Sequence, residues 1–369
     1  MKKVLLLFIS EHSGHHCASL AIEKALRELD GGVETLNINS FNYTNPILEK
    51  IINRAYMSVV QHKPELWDYL YDNPEVLKQT QKLRAMIHRF NTGKLETLLD
   101  DFKPGAIVCT QAFPCGMIAD YKKTFALDIP LIGVLTDYAP HSYWIYHNVD
   151  YYIVPSQETG DKLVANGIDP SRIKDYGIPI DPKFRIFPDR QALCKKLGLD
   201  GKRPHILIMG GTQGLGPLKE LVRLLDRLPV DLEPVIVCGT NKKLYNWLRR
   251  RRYQKKVTIL SYVENIDELM CVSDMIITKP GGITTAEALA RGLPMLIINP
   301  LPGQEAMNTR FLLNEGVAVK GESPEDAGVL LLELLENRHK LTAMSDKARS
   351  LARPESAVDI AKLILESIH

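Results

Sequence analysis

No apolar run in this chain approaches the roughly 20 residues that a bilayer-spanning helix needs, so any membrane contact would have to be peripheral. The opening Met1-Lys2-Lys3, followed by Val4 to Ile9, is too short for a signal-peptide core. It leads directly into Ser10-Glu11-His12 and reads as a first strand. The six cysteines (Cys17, Cys109, Cys115, Cys194, Cys238 and Cys271) are scattered without metal-ligand spacing, which points to a reduced, cytoplasmic protein. A formal net charge of only +2 does not by itself indicate a nucleic-acid partner. There is no D-x-D metal motif, no P-loop ending in G-K-[ST], and no G-x-G-x-x-G dinucleotide spacing.

What is present is an alternation of apolar runs and helical periods. With 369 residues the chain is too long for one ordinary core, and two domains are expected. Val4–Ile9 is a continuous apolar run bounded by turn residues, the pattern of a buried parallel strand, and Val33–Ile38, Ala106–Cys109, Leu131–Leu135 and Tyr151–Val154 are further strand candidates. Ala18 to Leu29 has helical spacing between the first two. From Pro46 to Asp101 the pattern is helical and carries Tyr56, Trp67, Tyr69 and Tyr71, read either as packing between helices or as an acceptor- or membrane-facing lobe. The Pro- and Gly-rich stretch Asp175–Phe187 reads as the exit from a first domain. A second series begins at His205–Gly211 and continues at Val235–Cys238, Val257–Leu260, Met275–Thr278 and Met295–Asn299. The expected division is 1–186 and 187–354, with the tail 355–369 a helix that packs back on the first domain.

The most informative stretch is Ile276-Ile277-Thr278-Lys279-Pro280-Gly281-Gly282-Ile283-Thr284-Thr285-Ala286-Glu287. A buried strand there feeds a glycine turn and then a helix. Such an end presents free N–H groups and a positive dipole to a phosphate or diphosphate. Glu287 lies about one turn inside, on the side of Thr284, where a carboxylate can accept both hydrogen bonds of a ribose diol. Gln304, after the next strand, can donate to and accept from sugar hydroxyls. Gly211 and Thr212, in the glycine turn after His205–Met209, fit backbone approach to a diphosphate or sugar. Together these indicate a nucleotide-sugar site.

In the first half, Ser10-Glu11-His12-Ser13-Gly14-His15-His16 and Thr136-Asp137-Tyr138 follow strands, where open parallel sheets bind ligands. No carboxylate-rich motif accompanies the histidines to suggest a metal. His16, near the helix start, could act as general base or hydrogen-bond an acceptor hydroxyl, and Asp137 could orient an imidazole, take the proton itself or cap a helix. The cationic run Arg249–Arg252 with Lys255 and Lys256 is either a solvated face or a surface for anionic lipid headgroups. It lacks the aromatic platform of an RNA site.

Several segments occur in one order: Thr136-Asp137-Tyr138 with His141 and Trp144, His147-Asn148-Val149-Asp150, Tyr176-Gly177-Ile178-Pro179-Ile180, Tyr262-Val263-Glu264-Asn265-Ile266, Thr278–Thr284, and Pro302-Gly303-Gln304-Glu305 with Asn308. In these the chain resembles the monogalactosyldiacylglycerol synthases and processive diacylglycerol glucosyltransferases. The resemblance implies an α/β GT-B fold, two Rossmann-like doubly wound domains facing a central cleft. It implies inverting transfer of a hexose from UDP-glucose or UDP-galactose to diacylglycerol or a glycolipid. Such an enzyme would lie peripherally on the anionic inner face of the cell membrane and need no metal or other cofactor.

The resemblance also carries residue roles. His16 and Asp137 would be catalytic. Glu287 would hold the ribose, the backbone after Tyr262 and at Val263 would meet uracil, and Lys279, Gly281, Gly282, Ile283 and Thr284 would face the diphosphate. Gln304 and Glu305 would contact the donor sugar, and Gly14, His141 and Trp144 the acceptor or lipid. The N-terminal loop departs from the family in having Ser13 and His15 where glycines are usual. Two other classes remain open: a UDP-sugar 2-epimerase of the same architecture, and a non-catalytic UDP-sugar sensor.

Overall fold

A computed structural model describes residues 1–11, 13–40, 43 and 93–368. His12 and the expected helical stretch with Tyr56, Trp67, Tyr69 and Tyr71 lie outside the described residues; 93–102 is helical. The chain forms two compact units, one of 1–182, 302–304 and 355–369, the other of 183–301 and 305–354. The division thus follows Pro182 rather than residue 186.

In the first unit the described strands are β1 (Lys3–Phe8), β2 (Glu34–Asn39), β3 (Ala106–Cys109), β4 (Leu131–Val134), β5 (Tyr151–Ile153) and β6 (Ile173–Lys174). They form a parallel sheet in the order β2-β1-β3-β4-β5-β6. The two-residue period of a strand sends alternate side chains to opposite faces. Leu5, Leu7, Ile107 and Cys109 join one apolar layer with α2 (Ala112–Phe125). Val4, Leu6, Ala106 and Val108 join the other with α1 (Gly14–Leu29) and the terminal helix Ser356–Ser367. That last helix buries Ala357, Val358, Ile360, Ala361 and Ile364. It is further tied down by Lys2 Nζ donating to Leu365 O (2.7 Å) and Ser356 Oγ donating to Gly177 O (3.0 Å). The short helix α3 (Gln157–Ala165) follows β5, capped by the Ser156 side chain.

The second unit repeats the plan. Its described strands are β7 (His205–Met209), β8 (Glu233–Val237), β9 (Thr258–Leu260), β10 (Met275–Thr278), β11 (Met295–Ile298) and β12 (Ala318–Gly321). They are again parallel, in the order β12-β11-β10-β7-β8-β9. The helices are α4 (Arg190–Leu197), α5 (Leu218–Arg227), α6 (Lys242–Arg249), α7 (Ile266–Val272), α8 (Gly282–Ala290), α9 (Gln304–Asn314), α10 (Pro324–Glu336) and α11 (Arg338–Leu351). Neither β6 nor β12 is expected from the sequence. Ile173–Lys174 is too short to show a period, and Ala-Val-Lys-Gly at the sheet edge is not an apolar run.

In each sheet the strand order reverses beside the first strand, between β1 and β3 and between β7 and β10. Connections leaving such neighbours diverge to opposite faces and open a crevice at the carboxyl ends, where ligands of open α/β sheets bind.

Candidate active site

At the reversal of the first unit, His15 lies in the first turn of α1. Its Nδ1 is 2.9 Å from the backbone oxygen of Thr110, which follows β3, and 2.9 Å from Thr136 Oγ1, which follows β4. Thr110 Oγ1 returns a hydrogen bond to His15 O at 2.8 Å. A carbonyl oxygen only accepts, so Nδ1 carries the proton and Nε2 holds the lone pair. Burial holds the His15 pKa below the usual histidine value, while the charge of Asp137 and the bond to Thr110 O oppose that shift.

Asp137 itself is fixed from both sides in sequence. Thr136 is buried and bound to His15, and Tyr138 is buried with its carbonyl accepting from Thr159 Oγ1 of α3 at 2.9 Å. Ser13 caps α1, its Oγ accepting from His16 N at 3.2 Å, with Gly14 exposed as the first helical residue. The His16 ring stacks on Phe8 of β1, centroids 4.2 Å apart and planes 12° apart. His15 thus joins the loops after β3 and β4 and feels the charge of Asp137. The sequence names both histidines and favours His16. Neighbouring residues on a helix point about 100° apart, and only the helix start decides which of them enters the crevice.

Trp144, expected at the acceptor or lipid, is packed into the first unit. It is only 5% exposed and belongs to the core that includes Ile118 and Tyr152, so it has little surface to offer a membrane. Tyr152 is fully buried, and its hydroxyl donates to Trp144 O at 2.6 Å and stands 2.9 Å from Tyr146 O, holding the short helix Ser142–Trp144 inward. His141 Nδ1 accepts from Tyr143 N at 3.2 Å, and its ring meets the Tyr143 ring edge-on at 5.4 Å.

At the reversal of the second unit, two turns stand side by side, since Met209 and Thr278 are register partners. After β10, the Lys279–Gly281 turn is closed by Gly281 N donating to Lys279 O (2.9 Å) and by Asn308 Nδ2 of α9 donating to Pro280 O (2.9 Å). Gly281 is the N-cap of α8 and lends it no side-chain cap. The first-turn N–H groups of Gly282, Ile283 and Thr284 precede the first intrahelical bond, leaving the positive end of the helix to a ligand. Thr285 Oγ1, one residue on, is buried without a hydrogen-bond partner among the described residues. Glu287, part-exposed, lies on α8 beyond Thr284.

After β7 the glycines have a steric reason that their spacing did not reveal. A Cβ on Gly210 would lie 1.8 Å from Leu215 O, and one on Gly214 would lie 2.2 Å from Cys238 O. The loop after β8 is laced to this turn, with Thr240 N donating to Thr212 O at 2.8 Å and Asn241 Nδ2 to Gly214 O at 3.3 Å. Gly211 adopts φ +69° beside Thr212, a conformation that side chains other than glycine disfavour. Tyr262, 55% exposed, and Val263 follow the edge strand β9 on the same edge of the sheet.

Lys279 and Glu305 form a nearly buried ion pair: Nζ–Oε1 is 2.9 Å, with side-chain exposures of 9% and 18%. Glu305 Oε2 also accepts from Leu301 N at 2.6 Å. The carboxylate expected at the donor sugar is thus already shared between a cation and a backbone N–H. Gln304 opens α9 beside it.

Comparison with known proteins agrees with this geometry. The family model for monogalactosyldiacylglycerol (MGDG) synthase matches residues 15–180, and that for glycosyl transferases group 1 matches residues 189–351. The chain is 31% identical over 369 residues to a processive diacylglycerol beta-glucosyltransferase of Bacillus pumilus, covering 99% of this chain and 95% of the relative. Among solved structures it is similar to Acinetobacter baumannii MurG, with a TM-score of 0.63 and 18% identity over 99% of this chain and 100% of the other. It is similarly close to a Neisseria meningitidis UDP-GlcNAc 2-epimerase bound to UDP-GlcNAc, with a TM-score of 0.60 and 14% identity over 99% and 100%.

Proposed function

Since the chain belongs to the family of the processive diacylglycerol glucosyltransferases, we propose that it is an inverting hexosyltransferase acting from a UDP-sugar onto diacylglycerol or a glycosyl-diacylglycerol. The observation that carries this is the His15 imidazole, with its tautomer set by Thr110 and Asp137 nearby in charge, at the carboxyl edge of the first sheet. An imidazole so arranged can take a proton from an alcohol. The second unit supplies the complement, an uncapped helix end and a lysine at a sheet reversal, suited to a diphosphate.

In the reaction His15 Nε2 removes the acceptor hydroxyl proton while that oxygen attacks the anomeric carbon. The bond from that carbon to the β-phosphate oxygen breaks, and its electron pair leaves with UDP. The N–H groups of Gly282, Ile283 and Thr284, the α8 dipole and Lys279 meet the charge that develops on the leaving diphosphate. Glu287 binds the ribose diol, the backbone at Tyr262 and Val263 the uracil, and Gln304 the hexose. The turn at Gly211 and Thr212 approaches the donor by its backbone. Glu305 reaches the sugar only by sharing its carboxylate with Lys279. Asp137 stabilises the imidazolium formed on His15, and Gly14 and His141 border the acceptor. This moves the proposed base from His16 to His15, and it returns Trp144 to a packing role.

No described helix is long and apolar enough to cross a membrane. The acceptor is a lipid, so we place the enzyme peripherally on the membrane surface. The sequence lacks D-x-D, and the helix end and Lys279 take the part a divalent cation would otherwise play. Epimerases share the fold, and fold alone does not choose between the reactions; membership of the transferase family does. The test is to incubate UDP-glucose, UDP-galactose and UDP-N-acetylglucosamine with the protein, with and without diacylglycerol. Release of UDP that requires the lipid supports transfer, whereas an epimerised nucleotide sugar formed without lipid contradicts it.

A further inference from the structure

The second unit carries a dense cationic stretch. Lys242–Lys256 contains eight lysines and arginines and no carboxylate. Their arrangement centres on Trp247 of α6. The Arg251 guanidinium lies 4.5 Å from its ring centroid, that of Arg223 4.7 Å, and Lys219 Nζ 5.1 Å, the last two from the neighbouring helix α5. All three cations are on exposed residues, and none of them has an ion-pair partner among the described residues. The nearby carboxylates lie elsewhere. Asp226 is buried and accepts from the backbone N–H groups of Gln254 and Lys255, and Glu220 is exposed beside Lys219. Trp247, Lys243, Asn246, Arg250 and Arg251 line an open hollow of about 460 Å³.

Holding three cations against one indole concentrates positive charge at a fixed spot. The ring attracts them through its quadrupole and spares them from needing carboxylates. The groups left facing outward then suit an oxygen-rich anion. Trp and Arg, each an apolar body with a polar tip, also suit the headgroup level of a bilayer.

We infer that this Trp247-centred patch docks the enzyme on anionic phospholipid headgroups, bringing it to the surface in which its acceptor resides. The inference rests on the lipid-acceptor reading of the active site for its biological sense, but its test does not depend on turnover. The alternative occupant, single-stranded RNA, is disfavoured because base stacking needs a bare aromatic face, and guanidinium groups crowd this one.

The test is binding of the full chain to vesicles of phosphatidylcholine alone and of phosphatidylcholine mixed with phosphatidylglycerol. Wild type should sediment with the mixed vesicles and lose them as salt rises. The triple variant Lys219→Gln/Arg223→Gln/Arg251→Gln should bind them roughly fivefold less tightly per charge removed, the equivalent of about 1 kcal/mol each. The charge-preserving Arg223→Lys/Arg251→Lys variant should retain binding. Transfer to diacylglycerol dispersed in neutral detergent micelles should be unchanged in the triple variant, which also shows that it is folded. If wild type is inactive in micelles, the transferase reading fails while the vesicle result still stands.

Equal binding of the triple variant and wild type to mixed vesicles would overturn the proposal. So would wild-type binding that ignores phosphatidylglycerol. Tighter binding of an RNA oligonucleotide than of mixed vesicles, abolished in the triple variant, would assign the patch to nucleic acid instead.

Discussion

The Nδ1 atom of His15 stands 2.9 Å from the carbonyl oxygen of Thr110, and that oxygen has no proton to give. The bond fixes the imidazole with its lone pair on Nε2, as a base requires. Replacing His15 by Ala should lower kcat by about 10²- to 10⁴-fold, the usual contribution of a positioned general base, with UDP affinity unchanged. His16→Ala, which removes a ring stacked on Phe8, is the comparison variant. Kinetics of the two single variants, with calorimetric UDP binding, decide between them. Equal loss of UDP affinity in His15→Ala would remove it from the role.

The pH profile follows from the same group. The neutral imidazole is the active form, and burial lowers its pKa, so the proton leaves at a lower pH than usual. The acid limb of kcat/KM should therefore fall below 6.5, the unperturbed histidine value. Asp137 acts against the shift, so in Asp137→Asn the limb of the residual activity should move further toward acid. A limb that rises in that variant would contradict the assignment.

Glu287→Ala should weaken UDP binding by about 1.5–3 kcal/mol, roughly 10- to 150-fold, the range for hydrogen bonds to a charged group. Equilibrium binding of UDP to the variant measures this directly. Unchanged affinity would take Glu287 away from the ribose.

Glu305→Gln should destabilise the second unit. It leaves the Lys279 ammonium, on a residue only 8% exposed, without its carboxylate. Breaking a buried pair from one side costs about 3–5 kcal/mol, and partial exposure of Glu305 places this case near the lower figure. Thermal unfolding of the variant beside wild type tests it, and an unchanged Tm would show that the pair contributes nothing.

Excess chelator should leave turnover unchanged, because the α8 N-terminus and Lys279 meet the leaving group. Activity abolished by chelator and restored by a divalent cation would contradict this.

Much of the architecture is readable from the chain because its central strands are buried on both faces. Runs such as Val4–Phe8 and Met295–Ile298 are apolar without alternation and end at turn residues. Edge elements fail that reading, as in Ala318–Gly321, where one side is open and the run carries a lysine. The glycine turn and helix at Gly281–Glu287 are legible because helix ends have fixed chemistry. The contacts of His15 are not, since they depend on where α1 begins relative to Thr110 and Thr136, partners far away in the chain. The burial of Trp144 is equally invisible locally, being set by the Tyr152 hydroxyl on β5. The buried Lys279–Glu305 pair likewise joins the turn after β10 to the first turn of α9, which only the sheet order makes neighbours.

The most direct measurement is lipid extraction and chromatography after incubating the purified protein with radiolabelled UDP-glucose or UDP-galactose and vesicles containing diacylglycerol. The account predicts label in a hexosyl-diacylglycerol from at least one donor, and none in that band with His15→Ala. Label confined to the aqueous phase for both donors, with active lipid present, would contradict it.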